Sequence, residues 1–202
     1  MSNWDGDINN PSASGVFAVR HAPPLASRDG EAGVCVGHAE VSCMMTAEEA
    51  AACIRTLVAD RLFASVWSSP LSRCQNPARV LAGQLGLALH VDQRLREICL
   101  GTWQGQAWSA IEASDSARFH RWMSNWTDIA PPGGETTADL LRRVRSWWNE
   151  LPPGRHLLVA HAGVIRGLRV MVHGDSWLRA MHEPVPCLQG QWFATSSDGG
   201  RA

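Results

Sequence analysis

Short, mostly apolar runs at 16–19, 63–67, 87–91 and 156–160 have the length of buried strands. Between them the apolar spacing lengthens to three and four residues, the period of a helix. Thr46-Ala47-Glu48-Glu49 has capping-box spacing, and Ala50, Cys53, Ile54, Leu57 and Val58 then share one helical face. A second helix is expected after Ser68-Ser69-Pro70, running to about Leu85, with Pro77 near its first turn and Asn76 as its cap. Thr136 or Thr137 caps a third, with Leu140, Val144, Trp147, Trp148 and Leu151 on its apolar face and Pro152-Pro153-Gly154 at its end. A fourth is expected over 163–173, and 191–195 reads as a final edge strand.

Strands alternating with helices predict an α/β domain: a three-layer α/β/α sandwich around a mostly parallel central sheet. The alternation lapses over about 98–134, which carries Trp103, Trp108, Trp122 and Trp126. This stretch predicts a helical insertion over the active-site end of the sheet. Core packing is the first reading of its tryptophans, and an apolar wall for an aromatic or nucleoside-like leaving group is the second. The domain is expected to span 16–195, with flexible tails at 1–15 and 196–202.

Composition narrows the function. A chain of 202 residues with 45% hydrophobic content can bury a core, and a net charge of −1 argues against a bulk nucleic-acid binder. No apolar stretch has membrane-spanning length, and the polar start is unlike a secretory signal, so a cytoplasmic protein is expected. Cys35, Cys43, Cys53, Cys74, Cys99 and Cys187 form no C-x-x-C pair and read as reduced, mostly buried thiols. None has an arginine six positions on, which excludes a phosphate-loop cysteine phosphatase. All 18 basic residues are arginine, and lysine and tyrosine are absent. A P-loop lysine, a Schiff-base lysine and a tyrosine acid are thereby excluded. Asp5 and Asp7 follow no apolar run and read as tail.

Two histidines stand at strand exits: His21 after Arg20, and His161 after the run 156–160. Ligand sites of open α/β sheets lie outside the carboxyl ends of the strands, so the two can converge. His21 is the candidate nucleophile, because a neutral imidazole is competent near pH 7. Arg20 and Arg73 are candidates for the non-bridging phosphate oxygens, which a planar guanidinium matches. The peptide N–H groups of Ala162 and Gly163 open a helix, whose positive end suits an anion. Glu97 is the candidate proton donor to a leaving alkoxide, and its alternative is a surface salt bridge with Arg94 or Arg96.

The chain resembles the histidine phosphatase superfamily, the phosphoglycerate mutase-like proteins. The R-H-G opening of that family is similar to Arg20-His21-Ala22, and its S-P-L-x-R segment to Ser69-Pro70-Leu71-Ser72-Arg73. Its L-x-E-x-x-x-G-x-W-x-G run is matched by Leu95, Glu97, Gly101, Trp103 and Gly105. Its G-G-E turn resembles Gly133-Gly134-Glu135, and its H-x-G-x-x-R block His161, Gly163 and Arg166. The resemblance implies a phosphohistidine on His21, phosphate binding by Arg20, Arg73 and His161, and acid–base work by Glu97. It implies no metal or other cofactor, a small-molecule phosphomonoester as partner, no nucleic acid or membrane, and a monomer or homodimer. Arg166 is expected to anchor its helix outside the site.

Ala22, Pro23-Pro24, Glu40 and Pro77 depart from the family pattern. Proline after the R-H pair resembles the alpha-ribazole phosphatase branch, near the broad-specificity phosphatases. That points to a nucleotide-like or aromatic phosphate such as alpha-ribazole 5'-phosphate. A cofactor-dependent phosphoglycerate mutase is the alternative enzyme, disfavoured by the missing lysine and the short C-terminal end. An inactive phospholigand-binding relative is the alternative of another class, disfavoured by the presence of all five chemical residues.

Overall fold

Alternate residues of the first strand feed two different cores. In the computed structural model, which describes residues 13–25, 33–59 and 61–195, strand β1 (Gly15–Arg20) sends Val16 and Ala18 to one side and Phe17 and Val19 to the other. Strand β4 (Arg155–Ala160) divides the same way, Leu158 and Ala160 against Leu157 and Val159. Burial on both faces is what a near-continuous apolar run encodes, and it requires helices on both sides.

Those helices are supplied in pairs. On one face α1 (Ala47–Val58) presents Ala51, Ile54 and Val58, and α2 (Ser72–Leu85) presents Cys74, Ala78, Leu81 and Ala82. On the other, α5 (Thr137–Asn149) presents Leu140, Val144 and Trp147, and α6 (Ala162–His173) presents Val164, Ile165 and Leu168. Strands β2 (Ser65–Ser68), β3 (Leu89–Val91) and β5 (Gly190–Ala194) complete a sheet of order β3-β2-β4-β1-β5. All pairs are parallel except β1 with β5. The fold is thus the α/β/α sandwich expected, and the carboxyl ends of β1, β2 and β4 share one edge.

Several details differ from the sequence reading, and strand β2 begins at Ser65 rather than at 63. Helix α2 begins at Ser72, so Pro77 lies inside it and Asn76 is no cap. Its N-cap, Leu71, has no capping side chain, and the Glu40 carboxylate instead accepts the Ser72 N–H at 3.3 Å and its hydroxyl. Strand β3 starts two residues later than expected because Leu87 is used in ending α2. Its N–H bonds the Ala82 carbonyl while Gly86, at φ +65°, bonds Gly83, a Schellman closure. A short helix, α7 (Trp177–His182), capped by Ser176, had no sequence expectation.

The insertion holds two helices, α3 (Trp108–Ser114) and α4 (Ser116–Asn125). Trp103, Trp108, Phe119 and Trp122 pack on one another with Leu100, Ile111 and Cys35, and the Trp108 and Trp122 rings stack at 5.9 Å. Trp103 is buried in this cluster, and Trp108 and Trp122 are half-buried against it. The insertion is tied to the chain after β1 through a bridge between Val34 and Ala107 and the Cys35 N–H on the Gln106 carbonyl. Of the expected tails, 1–12 and 196–202 lie outside the described residues, Asp5 and Asp7 with them, whereas Gly15 opens β1. Among the described residues no helix is long and apolar enough to cross a membrane.

Candidate active site

Register brings the two histidines together. Arg20 of β1 is level with Ala160 of β4, and the His21 N–H continues the pairing onto the Ala160 carbonyl. His21 and His161 therefore leave adjacent parallel strands at the same height, with ring centroids 5.1 Å apart and planes at 64°. Both are buried.

The His21 Nδ1 lies 2.6 Å from the Ala22 carbonyl. A carbonyl only accepts, so Nδ1 carries the hydrogen and the Nε2 lone pair is left available. Burial, reinforced by the Arg73 and Arg20 charges and opposed by the Ala22 bond, lowers the His21 pKa from 6.5 to about 4. The ring is neutral at pH 7, which is the nucleophilic form. Alanine at 22 in place of the family glycine leaves this bond intact, because the bond uses the peptide oxygen.

Burial, then the Arg73 and His21 charges, push the His161 pKa well below its ordinary value. Its Nε2 lies 2.8 Å from the Ser69 hydroxyl and 3.4 Å from the Cys74 sulfur. Burial raises the Cys74 thiol well above its usual value, so it stays protonated beside the ring.

Arg20 and Arg73 flank the pair. Arg20 Nη1 donates to the Val185 carbonyl at 2.7 Å, and Arg73 donates to the carbonyls of Ala39 at 2.8 Å and Gly37 at 2.6 Å. The Nε–H of each is buried without a partner. Two guanidinium groups with buried, unmade bonds, set beside an uncharged nucleophile, form a site for a polyanion. A cleft of about 410 Å³ opens beside Arg73 and Ala22, with Glu40, Asn76 and Pro77 in its walls.

Glu97 is not a surface salt bridge. Arg94 pairs instead with Asp92 and Glu150, while the Glu97 carboxylate accepts the Ile98 N–H at 2.9 Å and the Gly163 N–H at 3.0 Å. This changes the expectation for Gly163. Its N–H donates to the Glu97 side chain. The N-cap residue of α6, His161, makes no side-chain cap of its own. Arg166 donates to the Ala180 carbonyl at 3.1 Å and ties α6 to α7, within electrostatic reach of Glu97 and Arg20.

Sequence reasoning passed over four residues of this neighbourhood. Ser69 was visible in the S-P-L-x-R segment but carried no role. His38 carries no local sequence signal, yet its Nε2 lies 2.6 Å from the Glu97 carbonyl. Arg143 donates to that same carbonyl at 2.9 Å, and Glu135 pairs with Arg143 at 2.8 Å. The signal for Arg143 was present: 140, 143, 144 and 147 are spaced as one buried helical stripe, and a charge on such a stripe needs a partner. Burial pushes the Glu135 carboxyl up, but the Arg143 guanidinium and the Cys99 N–H outweigh it and hold the group below its usual range. Among the described residues no group of three His, Cys, Asp or Glu is placed to hold a metal ion.

An open, mostly parallel sheet with paired histidines and arginines at one edge defines an α/β protein built to hold a phosphate-like anion. The chain belongs to the histidine phosphatase superfamily (branch 1), whose family model matches residues 16–184. It is 26% identical over 183 residues to the adenosylcobalamin/alpha-ribazole phosphatase of Escherichia coli K12, covering 89% of this chain and 88% of that one. The structure of the alpha-ribazole phosphatase from Shigella flexneri superimposes with a TM-score of 0.79 at 25% identity, covering 89% of this chain and 93% of the other. A mycobacterial glucosyl-3-phosphoglycerate phosphatase superimposes with a TM-score of 0.72 at 26% identity, covering 87% and 86%. The chain spans about half the length, or less, of the first curated relatives it matches.

Proposed function

We propose that the protein is a phosphomonoester hydrolase that works through a phosphohistidine on His21. The observation that carries this reading is the pairing of a neutral His21, its Nε2 free, with the unpartnered Nε–H groups of Arg20 and Arg73. In the first step Nε2 attacks phosphorus and the ester P–O bond breaks. Arg20, Arg73 and His161 hold the non-bridging oxygens, and the departing oxygen takes a proton from the Glu97 carboxyl. In the second step water attacks the phosphohistidine. Glu97 takes the water's proton, and inorganic phosphate leaves with His21 restored.

The substrate is a small-molecule phosphomonoester, and a nucleotide-like or aromatic one such as alpha-ribazole 5'-phosphate heads the set to be tried. The likeness to the E. coli and Shigella proteins over almost the whole chain supports this choice, as does proline after the R-H pair. Brief incubation with radiolabelled substrate followed by acid and base treatment tests the mechanism. Acid-labile, base-stable label is expected in the parent and absent in His21→Ala. Label retained in that variant would falsify the assignment of the nucleophile.

A further inference from the structure

Residues 94–97 run from a single 3-10 turn (Gln93–Leu95) into extended backbone outside the sheet. Carbonyls in such a segment have no ladder partner and must find donors elsewhere. Here three successive bonds come from one side chain. Arg143 Nη1 donates to the carbonyls of Arg94 and Arg96, both at 2.6 Å, and Nη2 to that of Glu97 at 2.9 Å. The remaining N–H groups go to the two Glu135 oxygens, at 2.8 and 2.9 Å. Glu135 in turn accepts the Cys99 N–H at 2.8 Å and donates its own N–H to the Cys99 carbonyl at 2.8 Å. Every donor of the guanidinium fork is used, and the chain on both sides of Glu97 is fixed to α5.

The Glu97 carbonyl is also held from the opposite side, by His38. Since a carbonyl only accepts, His38 presents Nε2–H to it. The neighbours of His38, Gly37 and Ala39, are the carbonyls that receive Arg73. One chain of bonds thus runs from the phosphate-binding arginine through His38 and the Glu97 backbone to Arg143.

We infer that Arg143, set by Glu135 and seconded by His38, is the positioning residue that aims the Glu97 carboxyl at the leaving group. It touches no reacting atom. The inference rests on the reading of Glu97 as the proton donor. Its bonds converge on Glu97 and its immediate neighbours rather than on distant structure. Proton transfer tolerates little slack, and a displacement of about 1 Å can cost about a hundredfold in rate. Lysine at 143 would keep the charge but lose the planar fork that reaches three carbonyls and a carboxylate together.

The test measures kcat and KM of the full chain on an alkyl phosphate and on p-nitrophenyl phosphate, whose phenolate needs little protonation. Arg143→Lys is expected to lower kcat/KM on the alkyl ester, which reports the phosphorylating step alone, about 10- to 100-fold. On p-nitrophenyl phosphate the loss in kcat/KM should stay within about threefold, with vanadate inhibition unchanged. Glu97→Gln should show the same substrate selectivity, and adding Arg143→Lys to it should bring no further loss. His38→Ala should lose less but in the same sense, and His38→Gln, which keeps a donor, should restore activity. Equal losses on the two substrates, or losses that multiply in the double variant, overturn the inference. If Arg143→Lys fails to reach the parent's far-UV spectrum, the His38 pair decides by the same two-substrate criterion. A selective Glu97→Gln with an unselective Arg143→Lys removes only the positioning role. Equal losses in Glu97→Gln itself remove the acid, and the positioning role with it.

Discussion

The Glu97 carboxylate rests against Gly163 so closely that a side-chain carbon at 163 would overlap its Oε1. Glycine at this position is a matter of space, since its backbone is ordinary helix. Gly163→Ala should push Glu97 aside while α6 still forms. The kcat/KM for an alkyl phosphate should then fall about 10- to 100-fold, that for p-nitrophenyl phosphate much less. Parent-like kcat/KM on the alkyl ester would mean that the contact between the two residues does not matter to leaving-group protonation.

The arginines should separate binding from stability. Arg20 gives one bond to the Val185 carbonyl, whereas Arg73 supports both Gly37 and Ala39. Arg20→Lys should lower kcat/KM by about 10²- to 10³-fold, the scale of one lost oxyanion donor, and leave Tm nearly unchanged. Arg73→Lys should match that loss and also destabilise by about 1–3 kcal/mol, because two carbonyls lose their donor. Paired kinetics and thermal melts check both, and equal melting losses in the two variants would contradict the distinction.

Acid should unfold the protein through its histidines. The fold lowers the His21 pKa from 6.5 to about 4, so the folded state disfavours the charged ring. The stability this contributes is full above pH 6.5 and is lost as pH falls through about 4. His161 is shifted in the same direction and adds to the slope. Tm measured across that window should drop, and His21→Ala should flatten the drop. A parent whose Tm is constant from pH 6.5 to 4 would refute the linkage.

Net hydrolysis should exceed phosphoryl transfer between the hydroxyls of a sugar acid. The chain has no lysine to help clamp a carboxylate and two phosphates at once. With 3-phosphoglycerate and a trace of the bisphosphate, little 2-phosphoglycerate should form, while a nucleotide-like or aromatic phosphomonoester releases inorganic phosphate. Rapid interconversion of the glycerate phosphates, with slow phosphate release elsewhere, would make the mutase the better reading.

What could be read from the chain divides along a physical line. Strands β1 and β4 were legible because burial on both faces writes an unbroken apolar run, and the residue after each run is fixed in place by the strand itself. Thr46 was legible because a capping box is local chemistry, the second cap was legible to within Thr136 or Thr137, and boxes form at Thr46 and Thr136. The start of α2 was not, because its cap is Glu40, 32 residues away in sequence. The destination of the Gly163 N–H was hidden for the same reason, its acceptor lying 66 residues upstream. His38 shows the limit from the other side. Nothing within a few residues of it marks it as touching the Glu97 backbone.

The division of β1 between two cores has a consequence for folding fidelity. A slip of one residue against β4 would send Phe17 and Val19 into the space shaped for Val16 and Ala18. It would also carry His21 about 3.3 Å along the strand, away from the level of His161. Errors of register therefore cannot persist as partly active molecules: the pairing that fills both cores is the pairing that faces the two imidazoles. Specific activity, measured after refolding, counts the correctly threaded sheets.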